Sequence, residues 1–265
     1  MSSAHANDAQ PCDSETIKTV ARWAGVEGKL VSRDDRRDLI AAAACKVMPN
    51  APDTVIVAIA FDTNHEGASG YSDANGEEST SKIQVIALVE AGKVVAATRS
   101  TIEEDASTAV GSYRIDTARY ILSKDVRAFG TVFYSSARGA SCPEAAGSEE
   151  LTLWIREGEN LRAIFGTNLY GWILIDGEVC YLGDRGARTE SARMTIAVEK
   201  TSSHGFADLS ITARVTQTLH NSDGVSDTGK RTVRKVLKYD GQSYGLNMFR
   251  TFWYPKVCPM CPGQD

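Results

Sequence analysis

The residues that could carry acid–base chemistry are a histidine and a carboxylate close together in the chain. His204 and Asp208 lie four residues apart in the run His204-Gly205-Phe206-Ala207-Asp208. An aspartate can orient a histidine that acts as a base, although a serine or cysteine nucleophile would also have to be supplied. His204 and Asp208 are therefore the candidate catalytic residues. The favoured interpretation is structural, because His-Gly readily makes a turn and Asp208 can bond the turn backbone.

The cysteines could form an oxidised framework, because their number is even. Their spacing favours three bridges, namely Cys12–Cys45, Cys142–Cys180 and Cys258–Cys261. The alternative is a set of reduced thiols in the cytosol. The last pair also forms half of a zinc pattern, but no second close pair completes it. A structural bridge is therefore preferred, and no metal site is predicted.

The start of the chain also bears on its compartment. Ala4-His5-Ala6 resembles the small-residue cleavage site of a secretory signal, so residues 1–12 are interpreted as a signal-peptide remnant or tail. A small-residue disordered tail would look the same. Disulfides form and persist in oxidising compartments. The two observations together predict a periplasmic or secreted protein.

The charge balance argues against nucleic acid as a partner, because the formal net charge is -5. One basic run fits the solvated face of a strand; it contains Lys230, Arg231, Arg234, Lys235 and Lys238. No stretch reaches the roughly 20 apolar residues that span a bilayer. We therefore expect neither nucleic-acid binding nor membrane insertion. The oligomeric state stays undetermined.

Residues 13–50 are predicted to form a helical N-terminal segment. Asp13 or Ser14 can cap a first helix whose apolar side chains share one face, and two glycines end it. Ser32 then begins a second helix with the spacing of a capping box. The apolar stripe of that second helix extends over residues 39–47.

From residue 53 onward the pattern is that of an antiparallel β domain. Gly-containing turns between alternating apolar runs are the strongest short-range signal for hairpins. They occur at Ala91-Gly92, Glu157-Gly158-Glu159-Asn160, Asp176-Gly177 and Asp240-Gly241. The predicted fold class is therefore mainly β, with antiparallel hairpins behind the short helical segment. A sandwich, a barrel and an irregular propeller-like arrangement stay open, as do one domain or two subdomains in residues 53–265.

Two segments offer side chains for binding. Residues 62–82 are polar, acidic and rich in Gly and Ser, which predicts a long mobile loop with a possible function. The C-terminal segment, Tyr244–Tyr254, is rich in aromatic residues and can form a ligand or partner patch, although such residues more often close a core. The candidate binding residues are Tyr71, Asp73, Glu77, Glu78 and Trp253. No phosphate loop or dinucleotide glycine pattern is visible, so no cofactor is predicted.

Two segments of the β region resemble parts of uncharacterised exported bacterial β-rich proteins. They are His204–Leu209 and Lys238–Tyr244. The resemblance implies an envelope location and a β-rich fold, and it carries over no activity or site. Periplasmic inhibitors of cell-wall hydrolases and immunity proteins against secreted toxins are often disulfide-bearing β proteins as well, which is an analogy of class.

These observations predict a non-enzymatic periplasmic binding protein that recognises another protein of the cell envelope. An inhibitor or an immunity protein against a toxin or wall hydrolase is the specific form considered. An acidic loop on a stapled scaffold could enter a basic cleft and speed encounter electrostatically. The alternatives are a periplasmic hydrolase with an unrecognised site and a small-ligand or glycan binder.

Overall fold

The structure is a computed structural model of the 265-residue chain, and it describes residues 10–26, 40–62, 81–178, 180 and 186–255. It confirms a mainly β fold with a short helix near the N-terminus. In chain order the elements are α1 (Ser14–Ala24), β1 (Ile40–Met48), β2 (Ala51–Asp62), β3 (Ser81–Glu90), β4 (Lys93–Glu103), β5 (Val110–Ile121), β6 (Arg127–Ser135), β7 (Ala145–Glu157), β8 (Asn160–Asp176), β9 (Ala187–Ser203), β10 (Phe206–Asn221) and β11 (Gly224–Leu237). None of the helical residues described forms a stretch long and apolar enough to cross a membrane.

Helix α1 begins and ends where the sequence predicts. The Asp13 carboxylate accepts hydrogen bonds from the backbone N and the hydroxyl of Thr16, at 2.8 and 2.7 Å. These bonds favour the charged carboxylate, so they hold the pKa of Asp13 below its ordinary value. Gly25 ends the helix at φ 69°, a left-handed conformation that glycine adopts without steric cost. The helix buries Val20 and Ala21.

The prediction of a second helix is wrong for its described part, because Ile40–Met48 is the strand β1. The helical stripe would have buried Ala44 and Val47 together, but Ala44 is 1% exposed and Val47 is 51% exposed. Alanine is a strong helix former. Antiparallel pairing with the apolar strand β2 and the disulfide between Cys45 and Cys12 outweigh that local preference. The proposed start of the second helix at Ser32 lies outside the described residues.

The strands follow one another in the hydrogen-bonded order β1-β2-β3-β4-β8-β7-β6-β5, and β9, β10 and β11 continue outward from β8. Consecutive strands pair antiparallel in β1–β2–β3–β4 and in β8–β9–β10–β11. A parallel bridge joins β4 to β8 at Ala97 and Asn160. The hairpins predicted at Ala91-Gly92 and Gly158-Glu159 are present as β3–β4 and β7–β8.

The two Asp-Gly turns lead to a different outcome. The strand expected after Asp176-Gly177 falls mainly outside the described residues, and the partner that pairs with β8 there is β9. The strand expected after Asp240-Gly241 is absent, so that prediction is wrong. Asp240 does form a turn, because its carboxylate accepts hydrogen bonds from two following backbone N atoms, at 2.7 Å each.

The chain divides into two compact units, of which the first contains residues 1–117, 131–137 and 156–162. In this unit α1 packs on β3 and β4, and its apolar face joins a core with Val57, Phe61 and Val85. The Cys12–Cys45 disulfide joins the segment before α1 to β1, with a Cα–Cα distance of 4.9 Å. This is one of the pairings that the cysteine spacing favours.

The second unit contains residues 118–130, 138–155 and 163–265. Its C-terminal segment runs beside β8, where the backbone N of Tyr244 donates to the carbonyl of Ile164 at 2.7 Å. Farther along, the backbone N of Asn168 donates to the carbonyl of Met248 at 2.9 Å. Edge backbone groups of β8 are thus satisfied by an irregular segment, which explains why no hairpin is needed after Asp240. A Cys142–Cys180 disulfide, also favoured by the spacing, lies in this unit.

The first disulfide is expected to stabilise the first unit mainly through the unfolded chain. Replacing both Cys12 and Cys45 with serine should lower the free energy of unfolding by about 2–4 kcal/mol, because the bridge closes a long loop. The measurement is urea unfolding without reductant, combined with amide exchange of α1. The matched control replaces Cys142 and Cys180 with serine, and it should leave the protection of α1 unchanged. An unaltered unfolding midpoint in the first variant would contradict this account.

Candidate ligand-binding site

The strands β8, β9 and β10 present alternate side chains to two faces. Trp172 of β8 lies opposite Ser191 of β9, and Thr189 of β9 lies opposite Thr218 of β10. Successive side chains of a strand point to opposite faces. Thr189 and Ser191 therefore share one face with their cross-strand partners, whereas Glu190 between them points to the other face.

The side chains on the face that carries Thr189 and Ser191 enclose a cavity of about 370 Å³. This volume lies at the lower end of the range for small-molecule sites, about 300–1,000 Å³. Its lining consists of Tyr170, Trp172, Ala187, Thr189, Ser191, Thr218 and His220. All of these side chains except that of Ala187 are partly exposed to solvent. A ligand from solvent can therefore reach them.

Several polar groups in the cavity are available to a ligand. Within the described part of the chain, no protein group hydrogen-bonds the hydroxyls of Tyr170, Ser191 or Thr218. The Thr189 hydroxyl and the Nε2 atom of His220 are hydrogen-bonded to each other, at 3.0 Å. The two aromatic rings add flat apolar surface beside these hydroxyls. The lining thus suits a polar ligand that also has an apolar ring face.

His220 lies near the end of β10. Its backbone lies directly against the connection between β8 and β9. A Cβ atom added at Gly186, where φ is 67°, would overlap the carbonyl oxygen of His220. One added at Gly177 would overlap the carbonyl oxygen of Gly186. The two glycines therefore permit the close backbone packing that positions His220 beside the cavity.

His204 forms the turn that the sequence favours, whereas Asp208 is hydrogen-bonded to a side chain. His204 (φ 48°) and Gly205 (φ 88°) form the turn between β9 and β10. The Nδ1 atom of His204 is hydrogen-bonded to the carbonyl of Tyr239, at 2.8 Å. Asp208 accepts from the Thr201 hydroxyl at 2.7 Å, and this bond holds the pKa of Asp208 below its ordinary value. The sequence suggested that Asp208 would bond the turn backbone, but its hydrogen-bond partner is the side chain of Thr201.

One serine lies in the sequence pattern of a nucleophile elbow, Gly-x-Ser-x-Gly, at residues 241–245. Such an elbow connects a strand to a helix and exposes the serine at a sharp turn. Here no helix follows within residues 246–255. The Ser243 hydroxyl also accepts a hydrogen bond from the backbone N of Gly245, at 3.1 Å. The match therefore lacks the structural context of a hydrolase nucleophile.

The remaining predicted site residues do not meet at this cavity. Trp253 is 2% exposed and packs against Gly171, so the expectation that it binds a ligand is corrected to a core role. Of the acidic segment, Asp62 and Lys82 form an ion pair at 3.0 Å across β2 and β3. The other predicted residues, Tyr71, Asp73, Glu77, Glu78, Cys258 and Cys261, lie outside the described residues.

Sequence reasoning missed every side chain that lines the cavity. A signal was present, because Tyr170 and Trp172 are two residues apart, as are Thr189 and Ser191. Such spacing puts each pair on one face of a strand. It does not reveal that the two strands are neighbours, and that adjacency creates the cavity.

The close packing at Gly186 gives a test of how His220 is positioned. Gly186→Ala should destabilise the protein by more than the roughly 1–2 kcal/mol of a left-handed alanine, because the new Cβ also overlaps the His220 carbonyl. Urea unfolding and the imidazole resonances of His220 measure the two effects. The control is Gly205→Ala, where φ is +88° and the Cβ meets no atom within 4 Å. Equal losses in both variants would refute the packing argument.

Comparison of the chain with protein-family models, with curated proteins and with solved structures gives no match.

Proposed function

We propose that this chain is a non-enzymatic binding protein whose ligand is a carbohydrate held in the β8–β10 cavity. The observation that carries the proposal is the combination of two aromatic rings with unoccupied hydroxyls in one partly exposed cavity. Tyr170 and Trp172 project from the same face of β8, two residues apart. Ser191 and Thr218 supply hydroxyls from the two neighbouring strands.

A sugar ring matches this lining in two respects. Its hydroxyl groups both donate and accept hydrogen bonds, as do the serine, threonine and tyrosine hydroxyls of the cavity. Its apolar C–H face can pack on a flat aromatic side chain, which contributes contact area at little cost in conformational entropy. The lining contains neither a carboxylate nor an amine. Orientation would therefore come from hydroxyls, from the His220 imidazole and from stacking.

The disulfides support an oxidising compartment as the place where this protein acts. Two bridges are formed among the described cysteines, and such bridges persist outside the cytosol. We propose the periplasm as that compartment, which is also what the resemblance of His204–Leu209 and Lys238–Tyr244 to exported proteins implies. Glycans of the cell envelope would then be the ligands within reach.

Removing one aromatic ring tests the proposal. Trp172→Ala should weaken binding of the best ligand in a panel of short neutral oligosaccharides by at least about tenfold, since 1.4 kcal/mol corresponds to a factor of ten. Isothermal titration calorimetry measures the affinities. Trp23→Ala is the matched control, because Trp23 is an exposed tryptophan of α1 in the first unit. If no oligosaccharide binds, or if both variants bind like the native protein, the carbohydrate assignment is wrong.

A protein partner of the cell envelope is the second candidate, as an inhibitor or immunity protein would require. The supporting observation is the acidic composition of residues 63–80, which contain Glu66, Asp73, Glu77 and Glu78. An acidic segment favours encounter with a basic cleft. Affinity capture from envelope extract should then return a basic protein at low salt, and a variant with these four residues replaced by Gln or Asn should lose it. Capture that is unaffected by these replacements would contradict this second function.

A further inference from the structure

We propose that the ligand of the cavity is an acidic oligosaccharide, whose carboxylate or sulfate group binds the arginine pair Arg193 and Arg214. This inference rests on the proposed carbohydrate function and names the class of sugar. It concerns side chains that lie beside the cavity lining and that no motif in the sequence singled out.

The register of the sheet places the arginine pair next to the cavity. Arg193 of β9 lies opposite Tyr170 of β8 on one side and opposite Arg214 of β10 on the other. Directly opposite residues have Cβ atoms about 5 Å apart. The Arg193 guanidinium also lies over the Tyr170 ring, at 5.3 Å from its centroid. Because Tyr170 lines the cavity, a ligand bound there would lie close to Arg193.

Two like charges directly opposite each other destabilise a sheet. Arg193 is partly compensated, because it donates to Glu149 at 3.2 Å. Among the residues that the structure describes, no carboxylate pairs with Arg214, which is exposed. The chain as a whole carries a net charge of -5. A local excess of positive charge is therefore a specific feature of this face, and an anion between the two guanidinium groups would relieve the repulsion.

The same face has further positive charge along β11. Lys230 lies opposite Thr216, which is two residues from Arg214 in β10. Lys230 forms an ion pair with Asp227, and both side chains of that pair are highly exposed. Such exposed pairs contribute little to stability. Lys230 can therefore turn toward an anionic ligand at small cost. The surface beside the neutral lining of the cavity is thus positively charged.

Arginine suits a carboxylate or sulfate better than it suits a neutral hydroxyl. Its planar guanidinium presents parallel N–H donors that match two oxygens of one anionic group, and such charge-assisted bonds are about twice as strong as neutral ones. A uronic acid or a sulfated sugar places its anionic group one substituent away from the ring. That distance is comparable with the spacing of about 5 Å between neighbouring strands. The ring would occupy the cavity while the anion binds the arginine pair.

The decisive experiment compares matched acidic and neutral sugars by titration calorimetry. The probes are a galacturonic acid oligomer against a galactose oligomer of equal length, and a dextran sulfate fragment against plain dextran. The native protein should bind one acidic probe at least about tenfold more tightly than its neutral counterpart at low salt, and salt should reduce the difference. Whichever acidic probe binds distinguishes a carboxylate from a sulfate.

Variants then locate the anionic group. Arg214→Gln should remove the preference for the acidic probe and leave binding of the neutral sugar unchanged. The matched control is Lys235→Gln, which removes the same charge from β11 at an exposed position opposite Ile211, on the other face. This control should keep the preference.

Each outcome decides a separate point. Equal affinity for acidic and neutral sugars, or an acidic preference that survives Arg214→Gln, overturns the arginine assignment and leaves the carbohydrate function standing. Polyglutamate binding as tightly as the galacturonic acid oligomer would show a general anion surface, and the acidic-sugar assignment would fail. Binding of none of the oligosaccharides would reject both proposals together.

Discussion

The Glu190 carboxylate, 3% exposed, is held by two hydrogen bonds from the Arg231 guanidinium, at 2.6 and 2.7 Å. The same guanidinium donates to the carbonyl oxygen of Trp253, at 2.6 Å. Arg231 belongs to β11 and Glu190 to β9, so this ion pair reaches across β10. Removal of Arg231, whose side chain is 37% exposed, would leave the buried Glu190 carboxylate without its partner, which is destabilising. One interaction therefore links two strands and the C-terminal segment of the second unit.

The ion pair also fixes the face on which the candidate site is built. Because Glu190 must point toward Arg231, its neighbours Thr189 and Ser191 must point the opposite way. A shift of register by one residue would bury these hydroxyls and expose the carboxylate. The cavity thus lies on one face of the sheet, and the ion pair between Glu190 and Arg231 lies on the opposite face. Polar residues on one face are oriented by the requirement to pair a charge on the other.

The C-terminal segment illustrates how a strand edge is covered without a further strand. The Arg250 guanidinium donates to the carbonyl oxygens of Gly166 and Gly245, at 2.9 and 2.8 Å, and lies 4.7 Å from the centroid of the Phe165 ring. Burial lowers the pKa of Arg250 to about 10. A charged side chain is accepted in this position because its donors are hydrogen-bonded to carbonyl groups of β8 and of the C-terminal segment. The Gly245 carbonyl also accepts from the backbone N of Gly166, at 3.1 Å. Of the aromatic residues of the segment, Tyr244 and Trp253 are buried in the core, whereas Phe249 is 62% exposed.

Local sequence determined those features that depend on neighbouring residues. Asp13 and Gly25 marked the two ends of α1, Gly-containing turns marked two hairpins, and the alternating apolar runs indicated a mainly β fold. Tertiary structure alone decided that the alanine-rich stretch 40–48 is a strand, because its pairing with β2 outweighs helix propensity. It also decided where the candidate site lies. Cross-strand register brings together β8, β9 and β10, and register depends on burial and charge pairing between residues far apart in the chain.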